Sequence, residues 1–283
     1  MKRIQPSMSN DSTTMNYEVI YPPPSTDGKP LLVHIPHSST YIPEEYRDQI
    51  CLNAAGLDTE LLAMTDRFTD QLFGQASNYG ATLFVNRISR LVMDPERFPS
   101  DQDEHMSAKG MGAIYTKTSG GKELRTASFS VSARQAVMNE LYWPYSNVFH
   151  DLVTEQLDQF GKSLIIDGHS FPSNALPYED DKLFRPDICF GYESFHEPIG
   201  LLDALEDICR REGLTTARNQ PFSGSYVPMD YFQKEKRVKS IMVEVNRSLY
   251  MNETNGFESS HYSTLAKVLK LLIRTAGSHQ GRI

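Results

Sequence analysis

Residues 163–170 read SLIIDGHS, and we expect the rest of the chain to fold around this stretch. The apolar run at residues 164–166 predicts a buried strand of a mostly parallel sheet, and polar residues follow at its carboxyl end. Open α/β sheets bind their ligands at that edge, because the loops there are free of the sheet's hydrogen bonding. His169 is therefore a candidate metal ligand or general base, although a histidine that only caps the strand through a hydrogen bond fits the stretch equally well.

The length and charge of the chain limit its domain organisation and the kinds of partner that it can bind. A chain of 283 residues fits one large α/β domain, which we expect at residues 25–283, after a flexible N-terminal tail at residues 1–24. No apolar run approaches the ~20 residues that cross a bilayer, so no membrane association is expected. The net charge is -8 without a large Lys/Arg cluster, which argues against a nucleic-acid partner. Three widely spaced cysteines without a CxxC motif favour a reducing cytoplasm.

A second histidine also follows an apolar run. Residues 31–35 predict the first core strand, which opens into Pro36 and His37. His37 is thus delivered to a loop at a strand end, as His169 is. His34 lies inside the strand, where we expect it to pack or to face solvent.

Two aspartates form the next candidate group. A helix predicted over residues 58–73 carries Asp66 and Asp70 four positions apart on one face. The pair is either a solvated acidic face or a metal ligand together with a carboxylate that orients a histidine, and the spacing does not say which aspartate is the ligand. Imidazole nitrogen and carboxylate oxygen are the donors that a catalytic Zn²⁺ accepts when it keeps one position open for water.

Arginines provide the expected contacts to an anion. Arg90 and Arg97 lie in the most arginine-rich stretch of this acidic chain, and a guanidinium group binds a carboxylate through two parallel hydrogen bonds. The alternative is that they form surface ion pairs with Asp94 and Glu96.

The rest of the pattern alternates helices and strands, which predicts βαβ connections and an α/β fold with a mostly parallel mixed sheet. Glu244 lies inside the last apolar strand and is costly to bury unpaired, so it should face a partner, a water or a metal unless the strand is at an edge and the side chain points to solvent. The predicted helices cover residues 130–160, 198–213 and 265–274, and the other strands cover residues 81–85, 188–191 and 239–245.

Seven motifs of the chain resemble those of N-formylglutamate amidohydrolases and occur in the same order. They are PHSS (36–39), TDRFTDQLF (65–73), SRLVMDPER (89–97), GAIYT (112–116), DGHS (167–170), PFSGSYV (221–227) and EVNRSLYMNE (244–253). The resemblance implies a metal-dependent hydrolase with a three-layer α/β/α, phosphorylase/hydrolase-like fold that is distantly similar to zinc carboxypeptidases. The chain departs from the family pattern at Ser39, Glu96 and Gly168, where the family usually has glycine, asparagine and, in some members, an asparagine-type residue.

The strand-end residues and the resemblance together give the hypothesis of a one-zinc amidohydrolase. It would cleave a small anionic amino-acid derivative, N-formyl-L-glutamate, to formate and L-glutamate in histidine degradation. The hypothesis assigns His37, Asp66 and His169 as ligands of Zn²⁺, Glu244 as general base, Arg90, Arg97, Ser170 and Asn246 as substrate contacts, and Asp70 and Asp167 as residues that orient the ligands.

Three alternatives remain at the level of sequence. The first is a deacylase or peptidase that acts on another acidic N-acyl amino acid. The second is a serine hydrolase that uses Ser170 or Ser38, which the absence of a GxSxG motif disfavours. The third is a non-catalytic, metal-binding member of the family.

Overall fold

The computed structural model describes residues 16–180 and 182–279, and its strands form one seven-stranded sheet in the order β1-β3-β2-β4-β7-β5-β6. Pairs β2–β3, β2–β4, β4–β7 and β5–β6 are parallel, whereas β1–β3 and β5–β7 are antiparallel. The strands are β1 (Tyr17–Ile20), β2 (Leu31–Ile35), β3 (Thr82–Asn86), β4 (Ser163–Phe171), β5 (Ile188–Gly191), β6 (Thr216–Arg218) and β7 (Val238–Asn246). The predicted mostly parallel mixed sheet is confirmed.

Helices cover both faces of the sheet, which confirms the predicted three-layer α/β/α architecture. They are α1 (Glu44–Arg47), α2 (Ala54–Met64), α3 (Thr69–Gly74), α4 (Val131–Val137), α5 (Trp143–Phe160), α6 (Leu201–Arg211) and α7 (Tyr262–Ser278), and a π-helical turn joins α4 to α5. Because side chains alternate along a strand, Leu32 and Ile165 face α5, whereas Val33 and Ile166 pack with α3, α6 and α7.

The predicted helix over residues 58–73 is wrong in one important respect, because it is broken between α2 and α3. The backbone N–H of Asp66 donates to the carbonyl of His37 at 2.9 Å, and Phe68 adopts a left-handed conformation with φ of 67°. The Phe68 ring then packs edge-on against Tyr250 and Tyr262. Tertiary contacts therefore override the helical pattern, and Asp66 lies in the break rather than on a helix face.

Gly168 in β4 explains how α3 comes close to the sheet. A Cβ atom at this position would lie 3.0 Å from the ring of Phe73, which is fully buried. A larger residue at this position would push the Phe73 ring outward by a few tenths of an ångström, so Gly168 allows α3 to pack closely on β4.

The first strand lies inside the segment that was predicted to be a flexible tail. Tyr17–Ile20, which we placed in the N-terminal tail, forms β1 and pairs with β3, while the first fifteen residues of that tail lie outside the described part of the chain. Within residues 16–180 and 182–279, no helix combines the length and the apolar character needed to span a bilayer.

Candidate active site

A cleft of about 390 Å³ opens at the carboxyl ends of the central strands. Most of the residues predicted for the site line this cleft. They are His37, Asp66, Arg90, Arg97, His169, Ser170 and Glu244. The location agrees with the expectation for an open α/β sheet, whose ligands bind at that edge.

The sheet register brings the catalytic candidates together. His169 of β4 is the direct partner of Glu244 of β7 in the parallel ladder, so their side chains emerge on the same face. His37 follows β2, the neighbour of β4 on the other side, and its carbonyl group accepts the N–H of Asp66. The ends of β2, β4 and β7 and the break between α2 and α3 therefore bring these side chains close together.

Three donor atoms meet at this point, which we call the ligand corner: His37 Nδ1, His169 Nδ1 and Asp66 Oδ2. The two Nδ1 atoms are 3.3 Å apart, Asp66 Oδ2 is 3.2 Å from His169 Nδ1, and it is 3.8 Å from His37 Nδ1. Ligands of a tetrahedral zinc ion at ~2.0–2.1 Å are about 3.3–3.4 Å apart, so these distances suit a single ion.

The opposite ring nitrogens face carboxylates. His37 Nε2 lies 2.9 Å from Asp94 Oδ1, and His169 Nε2 lies 3.2 Å from Asp167 Oδ1. Histidines that bind metals commonly donate their other N–H to a carboxylate, which fixes the ring and its tautomer. The pairing with Asp94 and Asp167 therefore turns the Nδ1 lone pairs toward the ligand corner.

The chemistry of the ligand corner suits a cation. Two ring nitrogens and a carboxylate oxygen are acceptors once Nε2 carries the hydrogen, and acceptors at these distances repel one another. Burial works against a positive charge on His169, but the charges of Glu96 and Asp167 outweigh burial and raise the pKa of His169 well above its usual range, which favours a second proton on this ring. A divalent ion bound by the same three atoms would replace that proton.

Glu96 is a residue that the sequence reasoning placed only in a surface ion pair. Its carboxylate lies 3.2 Å from His169 Nε2 and 3.6 Å from His37 Nε2, so His37, Glu96 and His169 form a second group within metal-ligating reach. His37 Nε2 is already bonded to Asp94, which favours the ligand corner over this second group. Burial, followed by the charge of Asp167, raises the pKa of Glu96 to about 7.

Arg247 is the functional residue that we missed, although it lies in the EVNRSLYMNE motif. Its Nη2 donates to Asp66 Oδ1 at 2.9 Å and its Nη1 to the carbonyl of Ala63 at 2.7 Å, and the side chain is 4% exposed. Burial works to raise the pKa of Asp66, but the contact with His169 and the charge of Arg247 lower it to about 2. Arg247 thus keeps Asp66 ionised, with its second oxygen in the ligand corner.

The two predicted substrate arginines differ in how many donors they have left. Arg90 donates to Asp94 Oδ2 at 2.8 Å and to the hydroxyl of Tyr115 at 3.1 Å. Arg97 lies 3.5 Å from the same carboxylate, and its Nε has no hydrogen-bond partner among the described residues. The ion pairs with Asp94 that the alternative predicted are present, but Asp94 is fully buried, so they do not lie at the surface.

Glu244 has the environment of a poised base. The residue is 8% exposed and lines the cleft, and its Oε2 makes no hydrogen bond within the part of the chain that the structure describes. Burial raises the pKa of Glu244 to about 8, against the charge of His169. A carboxylate with a raised pKa is a stronger base and suits proton transfer near neutral pH.

Two predicted site residues are not brought to the cleft. Asp70 forms a partly exposed ion pair with Arg87 at 3.2 Å, because the break before α3 moves it away from Asp66. Asn246 accepts the N–H of Ser248 at 3.1 Å, as the cap of a 3₁₀ turn, and its amide donates to the carbonyl of Pro186. Neither contacts the ligand corner.

Ser170, His34 and Asp167 complete the surroundings. Ser170 lines the cleft and its hydroxyl accepts from Arg247 Nε at 3.2 Å. His34 is fully buried and packs on Phe149, which agrees with the packing option of the prediction, and both of its ring nitrogens are also hydrogen-bonded. Asp167, predicted to orient a ligand, contacts both His34 and His169.

Known proteins resemble the chain in sequence and in structure. A sequence model of the family described as N-formylglutamate amidohydrolase matches residues 29–251. The N-formylglutamate deformylase of Pseudomonas putida is 27% identical over 236 residues, which cover 81% of this chain and 84% of that protein. The crystal structure of N-formylglutamate amidohydrolase from Ralstonia eutropha has a TM-score of 0.79 at 23% identity, covering 92% of this chain and 96% of that one. A gene product of Agrobacterium tumefaciens has a TM-score of 0.67 at 21% identity, covering 93% and 96%. Both structures share the fold described above.

Proposed function

Because this chain belongs to the N-formylglutamate amidohydrolase family, we propose that it is a zinc-dependent hydrolase that cleaves N-formyl-L-glutamate to formate and L-glutamate. The observation that carries the proposal is the ligand corner, with Glu244 opposite His169 in the sheet register. The named relatives support the substrate, since they are described as a deformylase and an amidohydrolase of N-formylglutamate. We place the reaction in histidine degradation. We also place it in the cytoplasm, because Cys51, Cys189 and Cys209 are free thiols, as expected in a reducing compartment.

His37 Nδ1, His169 Nδ1 and Asp66 Oδ2 would hold the zinc ion. A zinc ion bound there supplies a Lewis acid and lowers the pKa of a coordinated water toward ~7. Asp94 and Asp167 hold the two imidazole rings in the required tautomer, and Arg247 holds Asp66. The ligands are therefore oriented before the ion binds, which supports tight binding.

Glu244 moves the proton in this mechanism. Its carboxylate accepts a proton from the attacking water as the water oxygen bonds to the formyl carbon. The same carboxyl group then donates the proton to the amide nitrogen as the C–N bond breaks, which releases formate and the free amine. Glu244 lines the cleft, and its buried Oε2 makes no hydrogen bond within the described residues, so no protein donor competes for this oxygen.

Arg97 is our choice for the main contact to a substrate carboxylate, because its side chain lines the cleft and is 28% exposed, against 13% for Arg90. Arg90, which is fixed by Asp94 and Tyr115, adds positive charge to the same wall of the cleft. Ser170 also lines the cleft and offers a hydroxyl group. Together these groups suit a small anionic amino-acid derivative.

The test combines metal content with substrate range. The purified protein should contain about one zinc per chain and hydrolyse N-formyl-L-glutamate, and a chelator should abolish this activity until zinc is restored. Faster hydrolysis of N-acetyl or N-succinyl amino acids would replace the substrate with another acyl group. Stoichiometric zinc without turnover of any of these compounds would instead favour a binding protein, and activity that resists chelators but not a serine-directed phosphonate would favour Ser170 or Ser38.

A further inference from the structure

A buried chain of polar contacts, two hydrogen bonds and one ion-pair contact, extends behind His169, away from the cleft. The hydroxyl of Tyr145 lies 2.6 Å from His34 Nε2, His34 Nδ1 lies 2.9 Å from Asp167 Oδ1, and the same oxygen lies 3.2 Å from His169 Nε2. Tyr145 and His34 are completely buried, and Asp167 is 2% exposed. We call these four residues the histidine relay.

The directions of the hydrogen bonds follow from the groups present. Asp167 is an acceptor, and the backbone N–H of Tyr226 already donates to its Oδ2 at 3.0 Å. His34 must therefore donate from Nδ1 to Oδ1, which leaves Nε2 to accept from the phenol of Tyr145. His169 Nε2 hydrogen-bonds to Glu96 Oε1 at 3.2 Å and lies at the same distance from Asp167 Oδ1, at ion-pair range. With Nε2 turned toward these two carboxylates, Nδ1 of the same ring faces the ligand corner.

Sheet register and aromatic packing hold the relay in place. His34 and Asp167 are direct partners in the parallel pair β2–β4, so their side chains lie on the same face. The imidazole of His34 stacks on Phe149 at 4.6 Å and lies against Tyr226 at 4.9 Å. Because the ring cannot turn in this packing, its Nδ1 hydrogen stays directed at Asp167.

Two carboxylates contact His169 Nε2: Glu96 accepts its hydrogen bond, and Asp167 lies beside it at ion-pair distance. Glu96 Oε1 lies 3.2 Å from His169 Nε2, the same distance as Asp167 Oδ1, but 3.5 Å from His34 Nδ1. The shorter bond from His34 anchors the Asp167 carboxylate, and a fixed carboxylate 3.2 Å from Nε2 restricts the orientation of the His169 ring.

We infer that His34 and Tyr145 are positioning residues, which act through Asp167 to aim His169 Nδ1 at the metal. This inference rests on the proposed function, because it needs a metal in the ligand corner. A core packing role alone would not need the polar atoms, since Phe84 and Phe149 show that the surrounding space accepts phenylalanine.

Two variants of His34 separate the effect of losing its hydrogen-bond donor from the effect of losing its ring. His34→Phe keeps an aromatic ring and loses the donor to Asp167, whereas His34→Asn loses the ring and keeps an N–H donor near the position of Nδ1. We expect His34→Phe to weaken zinc binding about 10–100-fold, which is the usual cost of removing a group that orients a metal ligand. His34→Asn should bind zinc more tightly than His34→Phe.

The readout is the zinc dissociation constant of the folded protein, measured by competition with a chromogenic chelator well below the unfolding temperature. Tyr145→Phe removes only the first hydroxyl of the relay and should weaken zinc binding in the same direction by less. Tyr46→Phe is its matched control, because it removes a hydroxyl that bonds to Glu140 rather than to the relay, and it should leave zinc affinity unchanged.

The outcomes separate the inference from the proposed function. Wild-type protein that binds no zinc would remove the proposed function, and the inference with it. Wild-type protein that binds zinc, together with His34→Phe at wild-type affinity, would overturn the inference alone. Weaker zinc binding by His34→Asn than by His34→Phe would also overturn it, since packing rather than the donor would then matter. If His34→Phe does not fold, Tyr145→Phe decides: unchanged affinity relative to Tyr46→Phe refutes the relay.

Discussion

Replacing Asp66 by alanine should destabilise the protein even when no metal is present. Asp66 is 2% exposed and accepts a hydrogen bond from the guanidinium of Arg247, which is itself 4% exposed. Removing one partner of a buried ion pair leaves the other charge without compensation, which costs about 3–5 kcal/mol. Arg247 keeps its bonds to Ala63 and Ser170, and Asp66 borders the cleft, where water enters. We therefore expect Asp66→Ala to lower the free energy of unfolding by about 3 kcal/mol, at the low end of that range.

The control for this change is Asp70→Ala, four residues along the chain. Asp70 pairs with Arg87, but the two side chains are 29% and 36% exposed. Exposed ion pairs contribute about 0–1 kcal/mol, so this variant should unfold within about 1 kcal/mol of the wild type. The two variants thus compare a buried carboxylate with an exposed one from the same sequence motif.

The assay is urea unfolding of protein treated with chelator, followed by circular dichroism, so that loss of metal does not contribute to the difference. Equal stability of the two variants would refute the reasoning, because it would mean that Arg247 does not depend on Asp66. In a second measurement, Asp66→Asn should lose most of its zinc affinity and Asp70→Ala should keep it. The reverse result would make Asp70 the metal ligand.

Three further predictions concern catalysis, specificity and pH. Glu244→Gln should retain zinc and lose at least ~100-fold in kcat, and turnover at the parent rate would exclude Glu244 as the base. Arg97→Met should raise KM for N-formyl-L-glutamate far more than for a neutral N-formyl amino acid, whereas equal increases would indicate a structural role. His196 is buried with Nδ1 donating to Val238 and Nε2 accepting from Gln233, and burial lowers its pKa. Since the unfolded chain then binds a proton that the native state excludes, stability should fall as pH drops below ~6.5, by at most about 1.4 kcal/mol per pH unit. His196→Gln should flatten this dependence, and an unchanged slope in urea unfolding would contradict the assignment.

The sequence was informative where a strand ends in a histidine. Hydrophobic runs before His37 and His169 predict buried parallel strands, and the ends of such strands meet at one edge of the sheet. The 3.3 Å between their Nδ1 atoms agrees with that reasoning. Glu244 was identified in the same way, because a carboxylate in an apolar strand needs a polar environment.

Periodicity failed where tertiary contacts decide the local structure. Nothing in the pattern of residues 58–73 shows that the chain breaks at Phe68, since the break depends on a hydrogen bond from Asp66 to His37 and on the packing of Phe68 against Tyr250. The break is also what separates Asp66 from Asp70. A helical wheel could not distinguish them for this reason.

Side-chain contacts between residues far apart in the chain also could not be predicted from the sequence. Arg247 and Asp66 are 181 residues apart in the chain, and His34 and Asp167 are 133 apart. Their side chains are ordinary in their local context, and only the sheet register brings them together. Glu96 was assigned to a surface pair for the same reason, because burial at the strand ends cannot be read from its neighbours.

The central claim is that a zinc ion binds at the ligand corner, and a crystal structure of zinc-loaded protein with anomalous data at the zinc edge tests it most directly. We predict one anomalous peak at ~2.0–2.2 Å from His37 Nδ1, His169 Nδ1 and an oxygen of Asp66. A peak on the Nε2 side, bound to Glu96, or no peak near the two histidines would contradict the claim.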